Sequence, residues 1–305
     1  MNKKRLSILL YHRVLDKHDL LRPSEPDICW FEKQIRWVKR FYHVLDLADA
    51  ACKLQANQLP PRALCITFDD GYRDNYQNAL PILEKYGLTA TFFIATDFLN
   101  NGIMWNDTVI ESLRRTNNKR LDLSDYGLGD FEIDSDRVGV LNKVLNTLKY
   151  LPLDERSTLV EDLPSILGVA KPSGLMMMDD QLKTLYKKGM GIGGHTVNHP
   201  ILAKLDTQQA RQEIKDGKQY LEEVLGERIT LFAYPNGKPG QDYQQEHIDI
   251  LKDLGFNAAV STAWGAASEK SDLYQLPRFT PWDKNIPKCL LRLEKMRYSS
   301  LEKRL

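Results

Sequence analysis

The stretch LCITFDDGYRDN, residues 64–75, ends an apolar, β-branched run in two adjacent carboxylates, Asp69 and Asp70, followed by Gly71. Two like charges closing a buried strand are costly unless both are solvated in a turn or a cation lies between them. A second cluster, GGHTVNHP (193–200), carries His195 and His199 four residues apart, after two glycines that allow close backbone approach. That spacing puts both imidazoles on one face if a helical turn follows the strand. One carboxylate with two neutral imidazoles suits zinc, with nickel, cobalt or iron also accepted, and leaves positions open for water. The metal then neutralises one aspartate, and the other stands free as a base beside a polarised water.

Bringing these groups together needs strands that end on one face, as in an α/β barrel. Short apolar runs predict strands at 5–12, 42–47, 63–70, 89–95, 190–195, 229–234, 257–262 and 274–279. Helical spacing falls between them at 30–41, 75–86, 179–188, 206–226 and 244–255. Asp179 and Asp206 read as N-caps, Gly226 and Gly255 as C-terminal stops. The alternation predicts one α/β domain over 1–305, interrupted by a mostly helical insertion at about 100–178. In that insertion Asn106 and Asp107 read as caps of the helix that follows. A basic amphipathic helix is expected at about 286–305, either docked on the body or touching a membrane surface.

TFDDG followed downstream by HTVNH resembles the first two motifs of the polysaccharide deacetylases, carbohydrate esterase family 4. The resemblance implies a distorted (β/α)7 barrel, with Asp69 as general base and Asp70, His195 and His199 as metal ligands. FAYPNG (232–237) is similar to the family's third motif, whose backbone helps form an oxyanion hole, and this points to the N–H of Asn236. Ala233 stands where the family has an arginine, so another group must orient Asp69. Arg278, in LPRF, is the candidate, because a guanidinium holds a carboxylate bidentately.

The family's general acid lies in an LxH motif, usually near the C-terminus, yet no histidine follows His247. Leu10, Tyr11 and His12 supply the pattern at the front, which is similar to the circularly permuted poly-N-acetylglucosamine deacetylase type. His12 is therefore the expected acid. Tyr234 is an expected substrate contact. Trp105, Trp264 and Trp282 occupy loop-like positions where an indole could stack on a sugar, with packing as the alternative. His18, His43 and His247 are read as structural or inert, His247 on the solvated side of its helix.

Bulk properties fit this reading. With 42 basic and 41 acidic residues, the chain has no electrostatic reason to bind nucleic acid. Its four cysteines show no paired spacing and read as reduced core thiols. The N-terminal apolar run is too short for a signal segment, so a cytoplasmic protein, in peripheral contact with a membrane at most, is expected. The implied activity is metal-dependent removal of N-acetyl groups from an amino-sugar glycan or its precursor. An O-acetyl esterase, a deformylase and a silent glycan-binding protein are the alternatives.

Overall fold

The run LSILLY is buried along its whole length, as befits a parallel strand covered on both faces. It is the first strand of a computed structural model that describes residues 4–281 and 283–298. The strands in chain order are β1 (Leu6–Tyr11), β2 (His43–Val44), β3 (Ala63–Phe68), β4 (Thr91–Ile94), β5 (Arg120–Leu123), β6 (Gly129–Glu132), β7 (Gly191–Gly194), β8 (Leu231–Ala233), β9 (Ala258–Trp264) and β10 (Leu276–Arg278). The helices are α1 (Ile28–Phe41), α2 (Leu47–Gln55), α3 (Leu80–Lys85), α4 (Trp105–Arg115), α5 (Arg137–Leu148), α6 (Leu153–Ile166), α7 (Asp179–Lys187), α8 (Thr207–Leu225), α9 (Gln245–Asp253) and α10 (Ile286–Tyr298).

The chain divides into two compact units. The larger holds the chain up to His18, Ser24–Asn100 and everything from Met177; the smaller holds Asp19–Pro23 and Asn101–Met176. In the larger unit seven parallel strands follow one another in the order β1, β3, β4, β7, β8, β9, β10. The ring closes where Leu10 N–H donates to Phe279 O (2.9 Å) and Phe279 N–H to Ile8 O (2.8 Å). The result is a nearly closed, distorted (β/α)7 barrel. Strand β2 pairs with the start of β3, before β4 takes over at Thr67 and Phe68.

Side-chain alternation sorts the strand residues into two sets. Leu6, Ile8, Cys65, Phe93, Ala233 and Val260 join one cluster, which α2 completes with Leu47, Ala50 and Leu54. The opposite parity, including Leu9, Ile66, Phe92 and Phe232, packs against the helices. Helix α1 shows why: Phe31, Gln34, Ile35 and Val38 form its buried stripe, and Asp27 caps it by accepting from Trp30 N–H at 2.7 Å. Cys289, Leu293 and Met296 join this core from α10, so that helix is docked, while Leu291 is exposed. Residues 299–305 of the expected terminal helix, and Trp282, lie outside the described residues.

The smaller unit packs α4, α5 and α6 on the antiparallel hairpin β5–β6 around Leu113, Leu121, Leu123, Leu141 and Leu163. The hairpin adds two short strands to a segment read as mostly helical: RLDL alternates exposed and buried residues over only four positions. Asn106 and Asp107 do not cap α4, whose N-cap is Met104; Asp107 is buried and paired with Arg22.

Other expectations also change. Helix α2 was hidden by the expected strand at 42–47, although Asp46 caps it through Ala48 and Asp49 N–H. Asp179 is the first residue inside its helix rather than the cap. Asp206 does cap α8, accepting from Gln209 N–H at 2.8 Å, and Gly226 ends it with φ 73°. His247 is fully buried, its Nδ1 accepting from Gln244 N–H at 2.9 Å to close a capping box. All four cysteines are free, but Cys29 and Cys52 are exposed rather than in the core.

Candidate active site

Parallel strands all end on the same side of a barrel, and the polar residues cluster where these do. Beyond β3 come Asp69 and Asp70; beyond β7, His195 and His199; beyond β1, His12; beyond β8, Asn236; and Arg278 ends β10. Asp70, Thr196, His199 and Asn236 all hold left-handed backbone, with φ of 79°, 67°, 51° and 57°. Such conformations are disfavoured for residues with a Cβ, most of all for a β-branched one, and persist where surrounding contacts enforce them.

The two aspartates have different partners. Asp69 is almost fully buried, and Arg278 grips it with two parallel hydrogen bonds, Nη1 to Oδ1 and Nη2 to Oδ2, each 2.7 Å. Arg278 is itself fixed by donating from Nε to Ser261 O at 2.9 Å and from Nη1 to Thr67 Oγ1 at 3.3 Å. Burial alone would push the Asp69 carboxyl up, but the guanidinium, together with His195 and His12, holds the group below its usual value.

Asp70 turns the other way. Its Oδ1 lies 3.4 Å from His195 Nε2 and 3.6 Å from His199 Nε2, and this buried oxygen accepts no hydrogen bond. The three ligand atoms lie within 4.8 Å of one another. Tetrahedral bonds of about 2.1 Å would separate ligand atoms by roughly 3.4 Å, so the distances from Asp70 to the two imidazoles fit a divalent ion. His195 Nδ1 is 2.7 Å from Ala233 O, which fixes the ring so that Nε2 presents its lone pair to Asp70. Burial and the neighbouring His195 lower His199 to about 4, which leaves it neutral and able to ligate at ordinary pH.

The loop bearing His199 is held from two sides. Thr196 Oγ1 accepts from His199 N–H at 3.1 Å. Glu213, on α8, accepts from Val197 N–H (3.0 Å), Asn198 N–H (2.9 Å) and Asn198 Nδ2 (2.9 Å). Nothing in the local sequence pointed to Glu213, because its partners lie a helix turn and a loop away.

His12 directly follows Tyr11, whose carbonyl accepts from Asp69 N–H at 3.0 Å. Burial works against a charge on His12, but Asp70, Glu25 and Asp69 together raise its pKa above the ordinary imidazole value. Asn236 is half-buried, its carbonyl accepting from Thr262 Oγ1 at 2.7 Å. Gly237 is required here: a Cβ would meet Thr262 N and Tyr234 O at 3.0 Å.

The expected sugar contacts fare differently. Tyr234 is a correction: it is buried, stacked on Tyr243 with centroids 3.8 Å apart, and its hydroxyl donates to Tyr274 O, so no ring face is left for a ligand. Trp105 belongs to the smaller unit, where the Arg156 guanidinium lies 4.9 Å from its ring centroid. Trp264 is 43% exposed, pairs in register with Arg278 and meets Phe279 edge-on.

A family profile described as polysaccharide deacetylase matches residues 56–259, two-thirds of the chain, and includes both aspartates and both histidines. The chain belongs to the polysaccharide deacetylase family. His12 and Arg278 lie outside the matched span. Over 276 residues the chain is 24% identical to YxkH of Bacillus subtilis (strain 168), provisionally named a polysaccharide deacetylase, covering 90% of this chain and 70% of that one. It is 30% identical over 177 residues to the poly-beta-1,6-N-acetyl-D-glucosamine N-deacetylase of Staphylococcus aureus (strain MSSA476), 53% of this chain and 58% of that protein. In fold it resembles the Streptococcus pyogenes deacetylase PplD in complex with acetate, with TM-score 0.66 and 22% identity over 97% of this chain and 100% of that one. IcaB from Ammonifex degensii gives TM-score 0.63 at 17% identity, over 95% and 97% of the two chains. Among the described residues, no helix is long and apolar enough to cross a membrane.

Proposed function

We propose that the protein removes N-acetyl groups from an amino-sugar glycan or glycan precursor and releases acetate. Asp70, His195 and His199 would hold a divalent ion, with zinc the natural match for one carboxylate and two imidazoles. When bound, such an ion supplies Lewis acidity and eases proton loss from water. Asp69, kept ionised and oriented by Arg278, accepts the proton as water attacks the acetamide carbon. The Asn236 N–H faces the oxygen on which negative charge develops. Since an amine leaves poorly until protonated, His12 donates a proton to its nitrogen as the C–N bond breaks. Trp264 offers an exposed ring on which a sugar can stack.

The observation that carries this reading is a division of labour within one dipeptide. One carboxylate is gripped by Arg278, and its neighbour faces two imidazoles with an unpaired oxygen. The activity named for the staphylococcal relatives supports the same choice of substrate class. The test is acetate release from N-acetylglucosamine oligomers, lost on treatment with a chelator and restored by zinc. Sugar binding with no acetate released would favour a glycan-binding protein instead.

A further inference from the structure

The residues after the DDG turn make contacts that the proposed chemistry does not use. Asp74 is a buried carboxylate that accepts from Arg13 Nε at 2.7 Å and from Val14 N–H at 3.1 Å. Asn75 has no solvent exposure, and its Nδ2 donates to His12 O at 2.8 Å and to Asp74 Oδ1 at 3.3 Å. Three successive residues, His12, Arg13 and Val14, are thus tied down by two adjacent side chains. Arg13 also lies over the Tyr72 ring, 4.6 Å from its centroid. Asn78 extends the strap by donating to Val14 O at 2.7 Å.

This arrangement is expensive for a segment that only has to pack. The Asn75 Oδ1 is buried without a partner, so its lost hydration is not compensated by a hydrogen bond. An apolar residue of similar size would avoid that cost, so the gain must come from what Nδ2 holds. Asn75 and Asn78 lie in a π-helical turn, Asn75–Ala79, ahead of α3, and such turns are frequent at functional sites.

We infer that Asp74 and Asn75 are positioning residues for His12: they fix the main chain around the acid to the same loop that presents Asp69 and Asp70. This inference rests on His12 being the proton donor to the leaving amine. A single loop then sets the distance between base and acid, and one end cannot shift without moving the other. A proton donor displaced by an ångström loses much of its effect, and general-acid catalysis is worth about 10²- to 10⁴-fold.

The test compares turnover of an N-acetylglucosamine oligomer with that of 4-nitrophenyl acetate, whose phenolate leaves without protonation. Asn75→Ala should lower the amide-to-ester ratio of kcat about tenfold, with the loss in kcat rather than KM. Asn75→Asp keeps the shape but turns an acceptor toward His12 O, so it should lower the ratio at least as far and remains readable if the alanine variant unfolds. In a His12→Ala background, Asn75→Ala should change the ratio no further. Amide and ester turnover falling in step in both Asn75 variants would overturn the inference. A His12→Ala ratio equal to that of the unaltered protein would instead remove the reading of His12 on which it rests.

Discussion

Arg278 and Asp69, 209 residues apart in sequence, share two parallel 2.7 Å hydrogen bonds inside the barrel mouth. Because Arg278 is only 1% exposed, removing it leaves a carboxylate buried and unpaired. Breaking such a pair costs about 3–5 kcal/mol. Arg278→Ala should therefore lower the denaturant midpoint by a corresponding amount and reduce kcat at least about 100-fold. Arg278→Lys should recover part of the stability and little of the activity, since an ammonium cannot hold both oxygens. Equilibrium unfolding alongside acetate release measures both.

Metal binding should also register as stability. The Asp70 Oδ1 is buried without a hydrogen-bond partner between two imidazoles, so a bound cation relieves an uncompensated charge. A ligand present at about 1,000 times its Kd contributes about 4 kcal/mol. Chelation should lower the melting temperature, and zinc should restore it. Asp70→Asn should melt at the same temperature with and without chelator, as read by scanning calorimetry.

The histidine-bearing loop predicts an effect transmitted by packing. A Cβ at Gly217, on α8, would lie 2.9 Å from the Thr196 carbonyl oxygen, closer than real contacts allow. Gly217→Ala should push the Thr196–His199 turn away from Asp70 and weaken zinc affinity about tenfold or more. Helix propensity alone favours alanine by about 1 kcal/mol, so a loss of affinity would isolate the steric effect. Competition with a chromogenic zinc chelator gives the affinity.

The pH dependence has two limbs with definite signs. His199, lowered to about 4, must be neutral to ligate, so metal and activity should be lost together as pH falls through that value. Asp69 is held below the ordinary carboxylate value, against the opposing cost of burial, by Arg278 together with His195 and His12. Burial works against a charge on His12, but Asp70, Glu25 and Asp69 raise its pKa, so its acid form persists to a higher pH than that of an ordinary imidazole. Amide turnover should decline only as pH rises through that elevated value. The kcat/KM profile of the amide substrate should show this alkaline limb, and 4-nitrophenyl acetate should not.

Much of this site was legible because its ligands cluster in two short motifs, TFDDG and HTVNH, each fixed by a strand end and a turn. Arg278 could be reached only by elimination, from the alanine at 233 and the need to orient Asp69. Tyr234 misled because adjacency to a motif says nothing about parity: Ala233 joins the cluster containing Phe93 and Val260, so Phe232 and Tyr234 face the helices. Asp74, Asn75 and Glu213 were missed because each acts on backbone groups far along the chain. The fold followed from eight short apolar runs, all of which became strands. Helix α2 and the hairpin β5–β6 did not, one absorbed into a neighbouring strand and the other too short to show its alternation.

The most direct measurement compares acetate release and zinc content in Asp69→Asn. An asparagine keeps the shape but cannot take a proton, and Asp69 contributes nothing to the metal-ligand set. Acetate release from N-acetylglucosamine oligomers should fall at least about 100-fold while bound zinc stays at the level of the unaltered protein. Release continuing at the unaltered rate, or zinc lost together with activity, would contradict the separation of base and metal ligand within the Asp69–Asp70 pair.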